Sequence, residues 1–180
     1  VFAPTPLQKN EHLSAIYEAD IWLKREDLSP VRSYKLRGAF NAMRKLPEQK
    51  DFVCASAGNH AQGFAYMCRE FGVSGRIFMP VTTPQQKIHK TKMFGGDQVT
   101  IELVGDYFDD CLNAAQLYCA EHAAHFLSPF DDEDVIEGQA SVAVEIEQQL
   151  GGVPDQIILP VGGGGLSAGM INYFQNSSHY

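Results

Sequence analysis

The chain has 180 residues, 44% of them hydrophobic and 20% charged, and 14 Lys and Arg against 22 Asp and Glu give a formal net charge of −8. That length suits one compact unit or two small lobes with a buried core. The acidic balance lacks the basic patch of a nucleic-acid binder, and no apolar run approaches the roughly 20 residues of a membrane span. Cys54, Cys68, Cys111 and Cys119 have no C-x-x-C spacing, so buried reduced thiols of a cytoplasmic protein are expected rather than a disulfide framework. No metal site is expected. The opening residues VFAPTPLQKN lack the basic and apolar regions of a signal peptide, and without an initial Met the chain is expected to continue upstream.

In chain order, residues 20–25 (DIWLKR) read as a short strand. Residues 34–46 read as a helix, with Leu36, Ala39, Phe40 and Met43 at i, i+3, i+4 and i+7, Ser33 as the expected N-cap and Pro47 after the last turn. A regular alternation follows. FVCAS (52–56) is a buried strand, 60–70 a helix stopped at Gly72, and RIFMP (76–80) a strand. A helix opens near Pro84 and stops at Gly95-Gly96, QVTIELV (98–104) is a strand, and 107–123 is a helix. After FLSPF come a helix at about 137–149, a Gly151-Gly152 stop, the strand QIILPV (156–161) and a last helix from about 166. Strands alternating with helices imply an α/β fold of parallel sheets built from βαβ units. Lobe boundaries are expected near 48–51 and 131–135.

Three stretches look unlike scaffold. Gly162-Gly163-Gly164-Gly165 stands between an apolar strand and a helix. A plain turn needs one or two glycines, so four suggest a loop whose bare N–H groups converge on a phosphate at a helix N-terminus. The same residues also fit G-x-G-x-x-A at 163, 165 and 168, a dinucleotide fingerprint whose confirming acidic residue would lie past Tyr180. Ser56-Ala57-Gly58-Asn59-His60 joins a strand to a helix. It offers a hydroxyl, an amide and free N–H groups at the strand's carboxyl end, where ligands of open sheets bind. Its alternative is an ordinary turn with Asn59 as cap. His60 reads more readily as a helix-start residue than as a general base. In the third stretch, Ser33-Tyr34-Lys35-Leu36-Arg37-Gly38-Ala39, Lys35 sits at a helix start. The positive end of the helix dipole there would depress its pKa, which suits a Schiff-base amine, although a solvated lysine is the ordinary alternative.

Together, VRSYKLRGAFNAM (31–43), SAGNHAQGFA (56–65), PFDDEDVIEGQ (129–139) and PVGGGGLSAG (160–169) resemble the fold-type II family of pyridoxal-phosphate enzymes, the tryptophan-synthase-β-like family. Within it, the threonine dehydratases are most similar. The resemblance implies pyridoxal 5'-phosphate as cofactor, with Lys35 bonded to it and acting as the base. Tyr34 would stand beside the cofactor. Ser56, Ala57, Gly58, Asn59 and His60 would form the substrate loop, with Asn59 also near the cofactor's hydroxyl, and Gly162, Gly163, Gly164, Gly165 and Leu166 would cradle the phosphate. It implies two open-sheet lobes, a small one over 51–130 and a large one combining 1–50 with 131–180, incomplete here. The reaction implied is β-elimination from L-threonine, and from L-serine as well, giving a 2-oxo acid and ammonia.

Serine racemases of this family carry a Ser where this chain has Ala57, so two-faced proton transfer lacks its partner. Gln139-Ala140-Ser141 departs from the family's G-Q-G-T. The implied partners are a small amino-acid substrate and, when complete, further copies in a homo-oligomer, with neither nucleic acid nor membrane. Family members are longer than this chain, so it is expected to be part of a longer enzyme, with the residue facing the pyridine nitrogen beyond it. The alternatives are a serine racemase or another fold-type II enzyme, a dinucleotide-binding oxidoreductase that leaves Lys35 and the 56–60 loop unexplained, and a non-catalytic fragment.

Overall fold

The computed structural model describes residues 2–176. A four-stranded parallel sheet occupies the middle of the chain. Its strands β3 (Asp51–Ala55), β4 (Ser74–Met79), β5 (Val99–Leu103) and β6 (His125–Phe126) run in the order β5-β4-β3-β6. The crossovers are α3 (Asn59–Phe71), α4 (Gln85–Gly95) and α5 (Phe108–His122).

Helices cover both faces of this sheet, which is why β3 reads as a continuous apolar run rather than an alternation. Its side chains still divide by the strand's period of two. Phe52 and Cys54 enter the main core with Phe64, Met67, Ile77 and Met79. Val53 and Ala55 enter a second core with Phe78, Cys111 and Ala115 beneath α5.

Flanking the sheet, α2 (Lys35–Arg44) is held between α3 and α6 (Glu133–Leu150), and α6 packs in turn on α7 (Gly165–Asn176). At the N-terminus, β1 (Leu7–Lys9) and β2 (Trp22–Lys24) form an antiparallel ribbon around α1 (Glu11–Tyr17). Arg37 pins this ribbon region to the helices. It is 2% exposed, and its guanidinium bonds Glu26 at 2.8 and 2.9 Å, Glu145 at 2.7 and 2.8 Å, and the Ser141 hydroxyl at 3.0 Å. Lys24 completes the group, donating at 2.6 Å both to Glu145 and to the Thr5 carbonyl.

Most expected elements are present, with four differences. The N-cap of α2 is Tyr34, without a side-chain bond, and not Ser33. The Ser33 backbone N–H goes instead to the Ser29 hydroxyl at 2.9 Å, in a turn that precedes the helix. Helix α6 starts at Glu133 rather than 137, because the Asp132 carboxylate accepts the Val135 N–H at 2.9 Å and acidic residues fill the first turn. The ribbon strand β1 and helix α1 fall in a stretch where no element was expected. Finally, 156–161 is not a strand. Ile157 and Leu159 pack against the α6–α7 core, but Ile158 is 97% exposed, and no strand among the described residues lies beside the segment. All four cysteines are free. Cys54, Cys68 and Cys111 are buried as expected, and Cys119 is only half-buried.

Candidate active site

Helix α2 presents its first residue, Lys35, on the side facing α3. The approach is close because Gly63 of α3 has no side chain: a β-carbon there would lie 2.8 Å from the Leu36 nitrogen and 3.0 Å from the Lys35 carbonyl carbon. The start of α3 is thereby pressed onto the start of α2, which brings the 56–60 loop to the lysine. Lys35 is half-buried, and burial holds its amine below the ordinary 10.5. Its Nζ donates to the Pro129 carbonyl at 2.5 Å and lies 5.5 Å from the centre of the Tyr34 ring. Tyr34, whose phenol burial pushes up, packs against the core shared by α6 and α7, which includes Leu166.

In the 56–60 loop the Ser56 hydroxyl accepts the Gly58 N–H at 3.2 Å. The N-cap of α3 is Gly58, without a side-chain bond, so Asn59 is not the cap. Asn59 is exposed at the first helical position and its amide remains available to a ligand. Ala57 packs against the main core. His60 is buried, and its Nε2 lies 3.1 Å from the Leu127 carbonyl. A carbonyl only accepts, so Nε2 carries the proton and Nδ1 is a bare, buried acceptor without a hydrogen-bond partner. Burial first, and then the nearby charge of Lys35, push the imidazole down to about 4 against the opposing pull of that carbonyl. Nδ1 keeps a free lone pair, but it is buried, and a ring held near 4 has little affinity for a proton at neutral pH, so His60 is a poor general base.

The glycine loop meets the same neighbourhood from the other side. Gly163 lies against the Phe130 ring, where a β-carbon would come within 2.2 Å of it, and Gly165 lies against the Phe130 backbone. Gly162 and Gly164 face open space. Gly164 has φ +88°, a left-handed conformation that side chains other than glycine adopt with strain. Immediately after it α7 begins, so the N–H groups of Gly165, Leu166 and Ser167 have no partner within the helix and suit an anion.

All three stretches therefore converge on Leu127–Phe130: His60 on the Leu127 carbonyl, Lys35 on the Pro129 carbonyl, and the glycine loop on Phe130. Sequence reasoning gave this segment no role. Its signal was a Ser-Pro turn between a short strand and a long helix. The residues fit pyridoxal phosphate on the chain's own geometry. There is a half-buried lysine of lowered pKa, a loop with two glycines open to space, and a helix N-terminus behind it. Among the described residues no group of His, Cys, Asp and Glu could hold a metal ion, and no helix is long and apolar enough to cross a membrane.

The family described as pyridoxal-phosphate dependent enzyme matches residues 1–179. The chain belongs to that family. The biosynthetic L-threonine dehydratase of Bacillus subtilis (strain 168) is 48% identical over 177 residues, covering 97% of this chain and 42% of its own length. That of Lactococcus lactis subsp. lactis (strain IL1403) is 49% identical over 179 residues, covering 96% and 43%. Among solved structures, the processed form of threonine deaminase isoform 2 from Solanum lycopersicum superposes with a TM-score of 0.88 at 38% identity, over 99% of this chain and 49% of that one. Maize serine racemase gives a TM-score of 0.86 at 26% identity, over 94% and 51%. The chain thus spans about half the length of the relatives it matches.

Proposed function

We propose that this chain supplies the lysine-bearing part of an enzyme that converts L-threonine, and L-serine as well, to the 2-oxo acid and ammonia. The observation carrying this reading is the convergence of Lys35, the 56–60 loop and the glycine loop on one segment. The sequence likeness to proteins named threonine dehydratase supports it. Lys35 would hold pyridoxal phosphate covalently, Gly162 to Leu166 would hold its phosphate, and Asn59 would lie near its hydroxyl. When bound, the cofactor supplies the electron sink that makes the substrate's α-hydrogen removable.

The chain's own residues do the rest. Ser56 orders the loop whose N–H groups, with Asn59, suit the substrate carboxylate. Once the substrate's amine has taken its place, the freed Lys35, partly desolvated and so more often neutral than a surface lysine, would take the α-hydrogen. The β-hydroxyl would leave with a proton, as water, and the enamine once released would tautomerise to an imine that water hydrolyses, giving 2-oxobutanoate from threonine or pyruvate from serine, plus ammonia. Tyr34 and the Pro129 carbonyl keep the lysine's amine in place between these events. The lobe division proposed is 51–130 against 1–50 with 131–180, and the β3–β6 sheet supports it by falling wholly within the first.

Racemisation is the competing outcome, since a serine racemase shares the fold. It needs a second proton donor on the opposite face of the α-carbon, and a methyl group at Ala57 cannot be one. The test is to assay 2-oxo acid and D-serine side by side in the full-length protein with L-threonine and L-serine. Predominant 2-oxo acid is expected. Abundant D-serine would overturn the reading.

A further inference from the structure

The segment Leu127–Phe130 is a strap tied at several points. The Leu127 N–H pairs with the Val53 carbonyl at 2.8 Å, continuing the sheet beyond β6. The Ser128 hydroxyl accepts the Asp131 N–H at 3.0 Å and turns the chain. Pro129 has no N–H and a fixed φ, so its carbonyl is its only backbone polar group, and that group faces Lys35. The remaining tie is His60 on the Leu127 carbonyl, and without it a fully buried residue would carry an unpaired acceptor.

We propose that His60 is a positioning residue: by donating Nε2–H to the Leu127 carbonyl it fixes the strap, and the strap in turn fixes both the Lys35 amine, through Pro129, and the glycine loop, through Phe130. The inference rests on reading Lys35 as the cofactor lysine. One imidazole on α3 thus aligns the two parts of the site that would hold the same cofactor, the lysine its aldehyde and the glycine loop its phosphate. Its chemistry suits the task. A ring kept neutral in the dry interior has one donor and one acceptor, so the proton stays on the nitrogen that faces the carbonyl. A cationic ring would repel the ammonium of Lys35. Among the described residues, His60 from α3 and Tyr34 beside it on α2 are titratable side chains that lie near Lys35.

Two substitutions separate positioning from packing. His60→Gln can place an amide N–H near the Nε2 position, whereas His60→Asn reaches only the Nδ1 position. In the full-length protein freed of cofactor, we would measure hydrogen exchange of the 127–131 amides. We would also measure the pH dependence of Lys35 acylation by acetic anhydride, read by mass spectrometry. His60→Asn should speed exchange of the strap at least tenfold and move the Lys35 midpoint upward, toward the ordinary 10.5, as water reaches the amine. His60→Gln should keep both near wild type. Lower stability with an unchanged Lys35 midpoint would reduce His60 to packing and overturn the proposal. So would His60→Gln behaving like His60→Asn, and if His60→Asn does not fold, any upward shift in His60→Gln decides against it. Borohydride reduction of the cofactor-loaded protein and peptide mapping test the reading beneath: label on another lysine would overturn the assignment of Lys35 while leaving the strap measurements to stand or fall alone.

Discussion

Replacing Arg37 by Met should destabilise the protein by about 3 kcal/mol while leaving the composition of the core nearly unchanged. Removing one partner of a buried ion pair costs about 3–5 kcal/mol, because the other charge stays buried and unmatched. Here two carboxylates are left behind. Glu26 loses two bonds of 2.8 and 2.9 Å, and Glu145 loses two of 2.7 and 2.8 Å. Two features place the cost at the low end. Both glutamate side chains keep 14% exposure, so some water reaches them, and Lys24 still holds Glu145.

The loss should depend on pH with a definite sign. Burial pushes the Glu145 carboxyl up, but Arg37 and Lys24 together hold it below the ordinary 4.5. A group depressed in the folded state contributes stability that is present above its unfolded value and lost as pH falls through the folded one. The gap between wild type and Arg37→Met should therefore be full at pH 7 and shrink below about 4.5. Denaturant unfolding of the full-length protein at several pH values, checked by native-state proteolysis, gives the answer. Arg37→Met within 0.5 kcal/mol of wild type at pH 7, about the scatter of an ordinary surface change, would refute this account of the cluster. So would a gap that widens in acid.

Lys35→Ala should abolish both turnover and borohydride-stable attachment of the cofactor, and retention of attachment would exclude this lysine. If the glycine loop is the phosphate cradle proposed above, Gly164→Val should raise the cofactor dissociation constant at least tenfold, since the position has φ +88° and faces open space. The strain alone is about 1–3 kcal/mol, so unfolding should be followed in parallel, and unchanged cofactor binding would count against a phosphate cradle here. Ala57→Ser should raise D-serine formation relative to 2-oxo acid from L-serine, because it offers a hydroxyl where there is only a methyl; an unmoved ratio would mean that the loop is not on the face of the substrate opposite Lys35.

The alternation of the sheet region was legible because each element carries its own punctuation. Helix α3 ends at Gly72 in the left-handed conformation, α4 opens after Pro84, and the strands between are short apolar runs. The ribbon strand β1 escaped notice because it has three residues, too few for a period to register. The start of α6 was hidden by its polar first turn, where Glu133 and Asp134 satisfy the helix dipole rather than the core. In the site, Lys35 and the two loops stood out by residue type. Leu127 and Pro129 did not, because they act through backbone carbonyls that any residue possesses. The partner of the His60 ring, itself a backbone carbonyl, could not be read for the same reason.

The apolar run at 156–161 has a consequence of its own. Ile157 and Leu159 are turned into the α6–α7 core, and Ile158 and Val161 are turned out to solvent. Such a stretch has its apolar character on both sides, as a strand in the interior of a parallel sheet does, yet it has no neighbour among the described residues. It leads directly into Gly162. The glycine loop, proposed above as a phosphate cradle, therefore hangs from a tether held on one side only. Any strand laid along 156–161 would stiffen the loop at its root, so the affinity of the loop for its anion and the pairing of this backbone should be thermodynamically coupled, each strengthening the other.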